Sequence, residues 1–427
     1  MKKKFSLNED WSSTVTGCFI ILAVLLVYAF KVVLPWPSFN WSDTTELAGN
    51  VLTVNNIWHT LLIFAVSFAL VCITNRLSGK PWKDNLGYLV LFALTFLAMI
   101  IAGNKLLKEM GVETVIFSLL IGLFISNVFR VPEWMKGALS SEMYVKIGLV
   151  LLGTTVLFDK LMQLGAVGIL QSVVVVFGVW YFSFWLCKKM KIDEEMSMML
   201  SSGVSICGVS AAVATAGAIK GDKTKLSFVV SLVLVIAVPM IFLMPVLAKL
   251  LGLNEVMAGA WIGGTVDTTA AVVATGAMYG EEAKNASVII KSSQNVLLGV
   301  AAFFISLYWT YKHSKGKVVE EGKYADKPGV KVLWERFPKF VLGFIAASLL
   351  FSFIINPSEN KPAMETIKSM QGLWFALAFT SIGLETRFKN FITQGNRKAT
   401  FAFIVAQTFN VAFTLLIVYL LQYLVGY

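Results

Sequence analysis

Val256-Met-Ala-Gly-Ala-Trp-Ile-Gly-Gly-Thr265-Val-Asp267-Thr-Thr-Ala-Ala-Val-Val-Ala-Thr-Gly-Ala-Met-Tyr279 is an apolar run of membrane-spanning length with a single acid, Asp267, near its midpoint. A carboxylate at the centre of a bilayer costs at least about 2.5–3.5 kcal/mol on insertion scales, so this one should face protein or water and not lipid. Gly263-Gly264-Thr265 before the acid and Thr268-Thr269 after it suggest a helix interrupted at that depth. Backbone groups and hydroxyls freed by such a break can line a cavity.

The rest of the chain fits a membrane setting. It has 427 residues, 57% of them apolar and only 14% charged, too oily for a soluble protein of this size. The net charge of +11 could suggest nucleic acid, but the basic residues sit almost entirely in short loops between apolar runs. That is the positive-inside pattern of a membrane protein, so no nucleic-acid partner is expected. The four cysteines, Cys18, Cys72, Cys187 and Cys207, contain no Cys-x-x-Cys pair, and the two histidines, His59 and His313, lie near segment ends. Neither a disulfide framework nor a metal site is indicated. Met1-Lys-Lys-Lys4 and the run that follows it read as an anchor and not a cleaved leader.

Thirteen apolar runs of spanning or near-spanning length follow one another, among them 195–219, 255–279 and 285–311. If all thirteen cross with a cytoplasmic N-terminus, Lys and Arg collect on the inner side, except that Lys220, Lys223 and Lys225 fall outside. Were 195–219 and 255–279 re-entrant hairpins, that loop would move inside; both arrangements are open from sequence. The expected fold is an all-α polytopic membrane protein with about 11–13 transmembrane segments. It carries inverted repeats with interrupted helices or re-entrant hairpins at mid-membrane.

Two internal echoes support the repeats. Gly153-x4-Phe158-x2-Leu161-x3-Gly165 matches Gly383-x4-Phe388-x2-Phe391-x3-Gly395. Ser210-Ala-Ala-Val-Ala-Thr-Ala-Gly217-x3-Gly221-x3-Lys225 parallels Thr269-Ala-Ala-Val-Val-Ala-Thr-Gly276-x3-Gly280-x3-Lys284. Residues 1–85 read as a two-helix extension and 86–427 as a transporter core, with 312–336 as a cytoplasmic connector.

Three groups of residues carry candidate chemistry. Ser201-Ser-Gly203-Val-Ser205-Ile-Cys207-Gly208-Val-Ser210 suits an unwound turn whose amides could hold an anion, although small residues also serve plain helix packing. Asp267 could take up a proton or sodium ion, pair statically with Lys291, or hydrogen-bond a broken helix. Lys291 could snorkel to the interface, but Gln294 and Asn295 follow it at helical spacing and give one polar face. Thr265, Thr268 and Thr269 flank the acid. No Walker sequence, nucleophile–base pair or metal cluster suggests an enzyme or an ATP-driven pump.

Gly148-Leu-Val-Leu-Leu-Gly153, Ser205-Ile-Cys-Gly-Val-Ser-Ala-Ala212, Asp267-Thr-Thr-Ala-Ala-Val-Val-Ala-Thr275, Tyr279-Gly-Glu-Glu-Ala283 and the helix through Asn295, Leu297 and Leu298 together resemble the YeiH-type family, whose label names sulfate export. The likeness runs from about Leu86 to the C-terminus. It implies kinship with sodium/bile-acid symporters and cation/proton antiporters, and a pair of inverted repeats whose interrupted helices meet at mid-membrane. On that likeness the small-polar turn falls on Ser205, Cys207, Gly208 and Ser210, and the acidic motif on Asp267 and Thr268. The chain departs from the family at Val266, where His is frequent, and at Gln294, where a basic residue is frequent.

The expected function is secondary transport of a small solute, an anion, in the cell's plasma membrane with the N-terminus cytoplasmic. The expected coupling is to a proton or sodium ion with no other cofactor, and a cation/proton antiporter is the alternative. Lipid surrounds the chain, and a homodimer is one assembly it could form.

Overall fold

The computed structural model describes residues 7–32, 34–109, 114–156, 158–219, 221–314, 338–355, 360–387 and 396–425. The connector 312–336 lies outside this set beyond Ser314, as do Lys220 and the Phe388–Gly395 part of the first echo. Fifteen helices matter here: α1 (Glu9–Ala29), α2 (Val54–Leu77), α3 (Tyr88–Ala102), α4 (Thr114–Val128), α5 (Ser141–Leu152), α6 (Phe158–Lys189), α7 (Glu194–Ser202) and α8 (Val209–Ile219) in the first half. They are followed by α9 (Lys223–Leu250), α10 (Glu255–Thr265), α11 (Thr269–Tyr279), α12 (Glu281–Ser314), α13 (Phe340–Leu349), α14 (Lys361–Glu385) and α15 (Arg397–Val425). Seven helices among the described residues are long and apolar enough to cross a membrane. The protein is an all-α polytopic membrane protein, as its sequence predicts.

The chain divides into two compact units. The first comprises residues 1–160 and 339–387. In it α4 and α14 cross where Gly122 meets Gly383, an approach that any side chain at either position would block. Ser126 Oγ secures the crossing by donating to the carbonyl oxygens of Gly383 and Thr386, each at 2.8 Å. Helix α1 is held to its neighbours by charge, with Lys146 Nζ 2.6 Å from Asp10 and Lys80 Nζ 3.0 Å from Glu9.

The second unit comprises residues 161–338 and 388–427 and is organised along α12, a 34-residue helix about 50 Å long at 1.5 Å per residue. Beside its first turn lies the start of α10, where Glu255 Oε2 accepts from the backbone amides of Glu282 (2.9 Å) and Ala283 (3.3 Å). Helix α10 then climbs parallel to α12, Gly259 lying against Ala283 and Ala286 and Gly263 against Ser287 and Ile290. After a break at Val266–Thr268 the chain returns as α11. Asn295 Nδ2 donates to Thr269 Oγ1 (3.1 Å), Gly276 packs on Lys284 and Ser287, and the Tyr279 hydroxyl reaches the Leu253 carbonyl at the level where α10 began. Residues 255–279 therefore go out and back, a re-entrant hairpin and not a crossing.

Residues 194–219 do the same from the other end of α12. Helix α7 begins beside Lys312, in the last turn of α12, whose Nζ donates to Glu194 Oε1 at 2.5 Å. Helix α8 ends just before Asp222, whose amide donates to Glu195 Oε2 (3.3 Å), and Lys225 Nζ reaches Asp193 Oδ1 (2.7 Å). Start and finish share one level here too. The thirteen-crossing arrangement is thus corrected: Lys223 and Lys225 stand at the same end as Lys312. The second echo falls on equivalent pieces, α8 leading into α9 and α11 leading into α12, with α9 packed on α11 and α12 packed on α8.

Side chains cap the limbs. Asp193, Asp222, Asn254 and Thr268 each accept from amides in the first turn of α7, α9, α10 and α11 respectively. Such a cap satisfies donors that helix geometry leaves without a partner.

Candidate functional site

The two hairpins turn by different means. In the first, Gly203–Cys207 widens into a π-type turn, and Gly208 (φ 64°, ψ −113°) reverses the chain into α8. That positive φ is one only glycine adopts without strain. In the second, Val266 (φ −73°, ψ 129°) and Thr268 (φ −100°, ψ 142°) are extended around Asp267. The tips meet: a Cβ on Gly208 would come 3.1 Å from Thr268 Cγ2 and 3.3 Å from the Asp267 carbonyl oxygen.

At each tip one limb ends with its carbonyls and the next begins with its amides. The carbonyls are taken by side chains from three helices. Lys291 Nζ donates to the Ile206 oxygen (2.5 Å) and to Gln294 Oε1 (2.9 Å), and Gln294 Nε2 donates to the Gly264 oxygen (3.0 Å). From α15, Gln407 Nε2 reaches the Thr265 oxygen (2.9 Å), and Asn410 Nδ2 reaches the Val204 (3.1 Å) and Thr265 (3.2 Å) oxygens. Thr414 Oγ1 steadies Asn410 at 2.8 Å, and Gln171 Nε2 on α6 donates to the Ala260 oxygen at 2.8 Å. The amino-terminal ends of α8 and α11, both 11 residues long, are directed at the junction of the tips.

Asp267 sits in that junction, 1% exposed, with neither carboxylate oxygen in a hydrogen bond. Thr265 Oγ1, Asn295 Oδ1 and Gln407 Oε1 are also buried without a donor. Lys291 and Gln407 are close enough to act on Asp267 electrostatically. Because Lys291 instead bonds Ile206 and Gln294, the static Asp267–Lys291 ion pair considered from sequence is not formed. The snorkelling reading of Lys291 is also overturned, since its ammonium is held inside the protein and the residue is 1% exposed. A buried carboxylate without donors needs a proton, a cation or a ligand's donor to offset its lost hydration.

The candidate residues from Ser205 to Ser210, from Thr265 to Thr269, and Lys291, Gln294 and Asn295 gather at the two tips or on the face of α12 beside them, whereas Ser201 and Ser202 lie inside α7. Thr265 ends α10, Thr268 caps α11, Thr269 opens it, Cys207 ends the π-type turn, and Ser210 lies in the first turn of α8. The Ser205 hydroxyl is turned back on the Ser201 oxygen at 2.7 Å. Gln294, one of the departures from the family pattern, bridges Lys291 and the Gly264 carbonyl. Missed were Gln407, Asn410 and Thr414, which recur at i, i+3 and i+7 within the last apolar run, the same signal that exposed Lys291, Gln294 and Asn295. Among the described residues no three His, Cys, Asp or Glu side chains gather as a bound metal ion would need.

Fold and site together define a polytopic membrane protein built on two opposed re-entrant hairpins. The chain belongs to the family described as Conserved hypothetical protein 698, the YeiH-type family that its sequence resembles, whose model matches residues 86–402. A UPF0324 membrane protein of Rhodopirellula baltica is 36% identical over 379 residues, covering 86% of this chain and 69% of that protein. One from Nitratidesulfovibrio vulgaris is 37% identical over 357 residues, covering 80% of this chain and 60% of the relative. Another, from Nitrosomonas europaea, is 28% identical over 403 residues, covering 81% and 80%. No solved structure matches the chain.

Proposed function

We propose that the protein is a secondary transporter of a small anion, coupled to a proton or a sodium ion taken up at Asp267. The observation that carries this reading is the meeting of two hairpins from opposite ends of α12 around a buried carboxylate with no donor. Interrupted helices that meet inside a bundle supply what transport needs: amide ends for an anion, carbonyl and carboxylate oxygens for a cation, and access from either side. The whole site lies inside the second unit, so a movement of that unit as a body would carry the site with it. The base of the first hairpin holds Lys188, Lys223, Lys225 and Lys312, whereas Lys249 and Lys284 are the bases near the other. By the positive-inside rule the first hairpin enters from the cytoplasm.

The donor-less oxygens of Asp267, Thr265 and Gln407 favour one other reading, a cation/proton antiporter. Purified protein in proteoliposomes separates the two. Uptake of sulfate or a small carboxylate driven by an imposed proton or sodium gradient supports anion transport. Sodium- or potassium-for-proton exchange that ignores the anion supports the antiporter, and no flux of either kind overturns both.

A further inference from the structure

Asp267 and Lys291 are the two charged side chains at the tip junction, both buried and both ionisable, yet held apart. The groups around them add no compensating charge. Helix α15 contributes Gln407 and Asn410, α6 contributes Gln171, hairpin two adds Thr265, and the Cys207 thiol of hairpin one lies close to Lys291. The ammonium spends two of its three donors on Ile206 and Gln294, which fixes its position and leaves one for a ligand.

We propose that this separated pair couples the two ligands by charge: a cation that neutralises Asp267 leaves the Lys291 charge uncompensated, and only then does a small anion bind at the amino ends of α8 and α11. With both side chains ionised the junction carries no net charge and offers an entering anion as much repulsion as attraction. With Asp267 neutralised it carries one positive charge in a buried setting, where an unpaired charge is costly and a counter-ion is correspondingly welcome. The amino ends of two helices add to the attraction. Cation and anion then load together and move in the same direction. By linkage, the anion tightens cation binding by the same factor as the cation tightens anion binding. Lys291 is in this scheme an anion contact whose availability Asp267 governs. The scheme rests on the anion-transport reading above and adds to it an order of binding.

The test is ligand-induced thermal stabilisation of the full-length purified protein, with sulfate, acetate and succinate as probes. Each is measured at about pH 5, at about pH 8 with sodium, and at about pH 8 with only choline as cation, so that protons, sodium ions and neither are in turn plentiful. In the wild type, an effective anion should raise Tm at low pH or with sodium, and require at least about tenfold more anion in choline at high pH. In Asp267→Asn the same anion should act at the same concentration under all three conditions. In Lys291→Met the response should be lost throughout. Asp267→Ser provides a second neutral side chain, so that a folding defect in one variant does not decide the matter. A neutral variant that still needs low pH or sodium, or a Lys291→Met protein that responds like the wild type, overturns the charge coupling while leaving anion transport standing. No stabilisation by any probe in any of the proteins overturns both.

Discussion

The two hairpins reach the same point with opposite chemistry. The first reverses at a glycine in a left-handed conformation and brings no charged side chain, its carbonyl at Ile206 being taken by a lysine from α12. The second reverses through extended residues and brings a carboxylate, its carbonyls at Gly264 and Thr265 being taken by neutral amides. One tip is therefore conformationally demanding and electrically passive, and the other is the reverse. The difference teaches that a broken helix inside a membrane protein can be held by backbone geometry or by side-chain donors, and that the ionisable group sits where geometry is least constrained.

That contrast can be broken by experiment. The largest effect should come from Asp267→Asn, which keeps shape and removes charge: cation-coupled flux in proteoliposomes should fall to the level of empty vesicles while expression and folding persist. Coupled flux at the wild-type rate would remove the acid from the mechanism.

Next is Gly208→Ala. Its Cβ would be forced into a conformation costing about 1–2 kcal/mol for an L residue and would come 2.8 Å from Val233 Cγ1. Crowding of that kind adds about 1–3 kcal/mol, so Tm in detergent should drop markedly. Gly217→Ala, in the same hairpin but facing open space, should change stability by less than about 0.5 kcal/mol. Equal losses for the two would show that the first tip is not held by its backbone.

Asn410→Ala tests the amide half of the comparison. It removes the donor shared by the Val204 and Thr265 carbonyls and should cost about 1–3 kcal/mol in thermal or denaturant unfolding. An unchanged unfolding midpoint would mean that Gln407 alone suffices at Thr265.

The smallest effect belongs to the base of the first hairpin. Burial works against the charge of Glu194, but Lys312 and Lys188 outweigh it and hold its carboxyl below the ordinary carboxylate range. Its contribution is therefore present above the unfolded-state value and is lost as pH falls through the lower folded-state value. Being largely solvent-screened, it should appear as a slight fall in Tm on acidification that Glu194→Gln diminishes. A Tm profile identical in the two proteins would detach this pair from stability.

Much of the second unit was legible beforehand because its signals are local. Asp267 stands out against an apolar run, Gly263-Gly264-Thr265 and Thr268-Thr269 mark the break within a residue or two, and Lys291-x2-Gln294-Asn295 declares one helical face. Whether residues 255–279 cross or return was not legible. The deciding contacts, Glu255 with the amides of Glu282 and Ala283 and Tyr279 with Leu253, are tertiary and leave no pattern along the chain. The same holds for the separation of Asp267 from Lys291, since spacing along two helices does not say which carbonyl an ammonium will choose. Gln407 and Asn410 were hidden by their setting: two amides in a long apolar run pass as tolerated polarity until the carbonyls they serve are seen.

Helix α12 touches Glu255 at one extremity and Glu194 at the other. A single stiff rod is thus fastened to the mouth of each hairpin. Sliding it by one turn to loosen either doorway would drag on the opposite one, so the entrances answer to a common mechanical element.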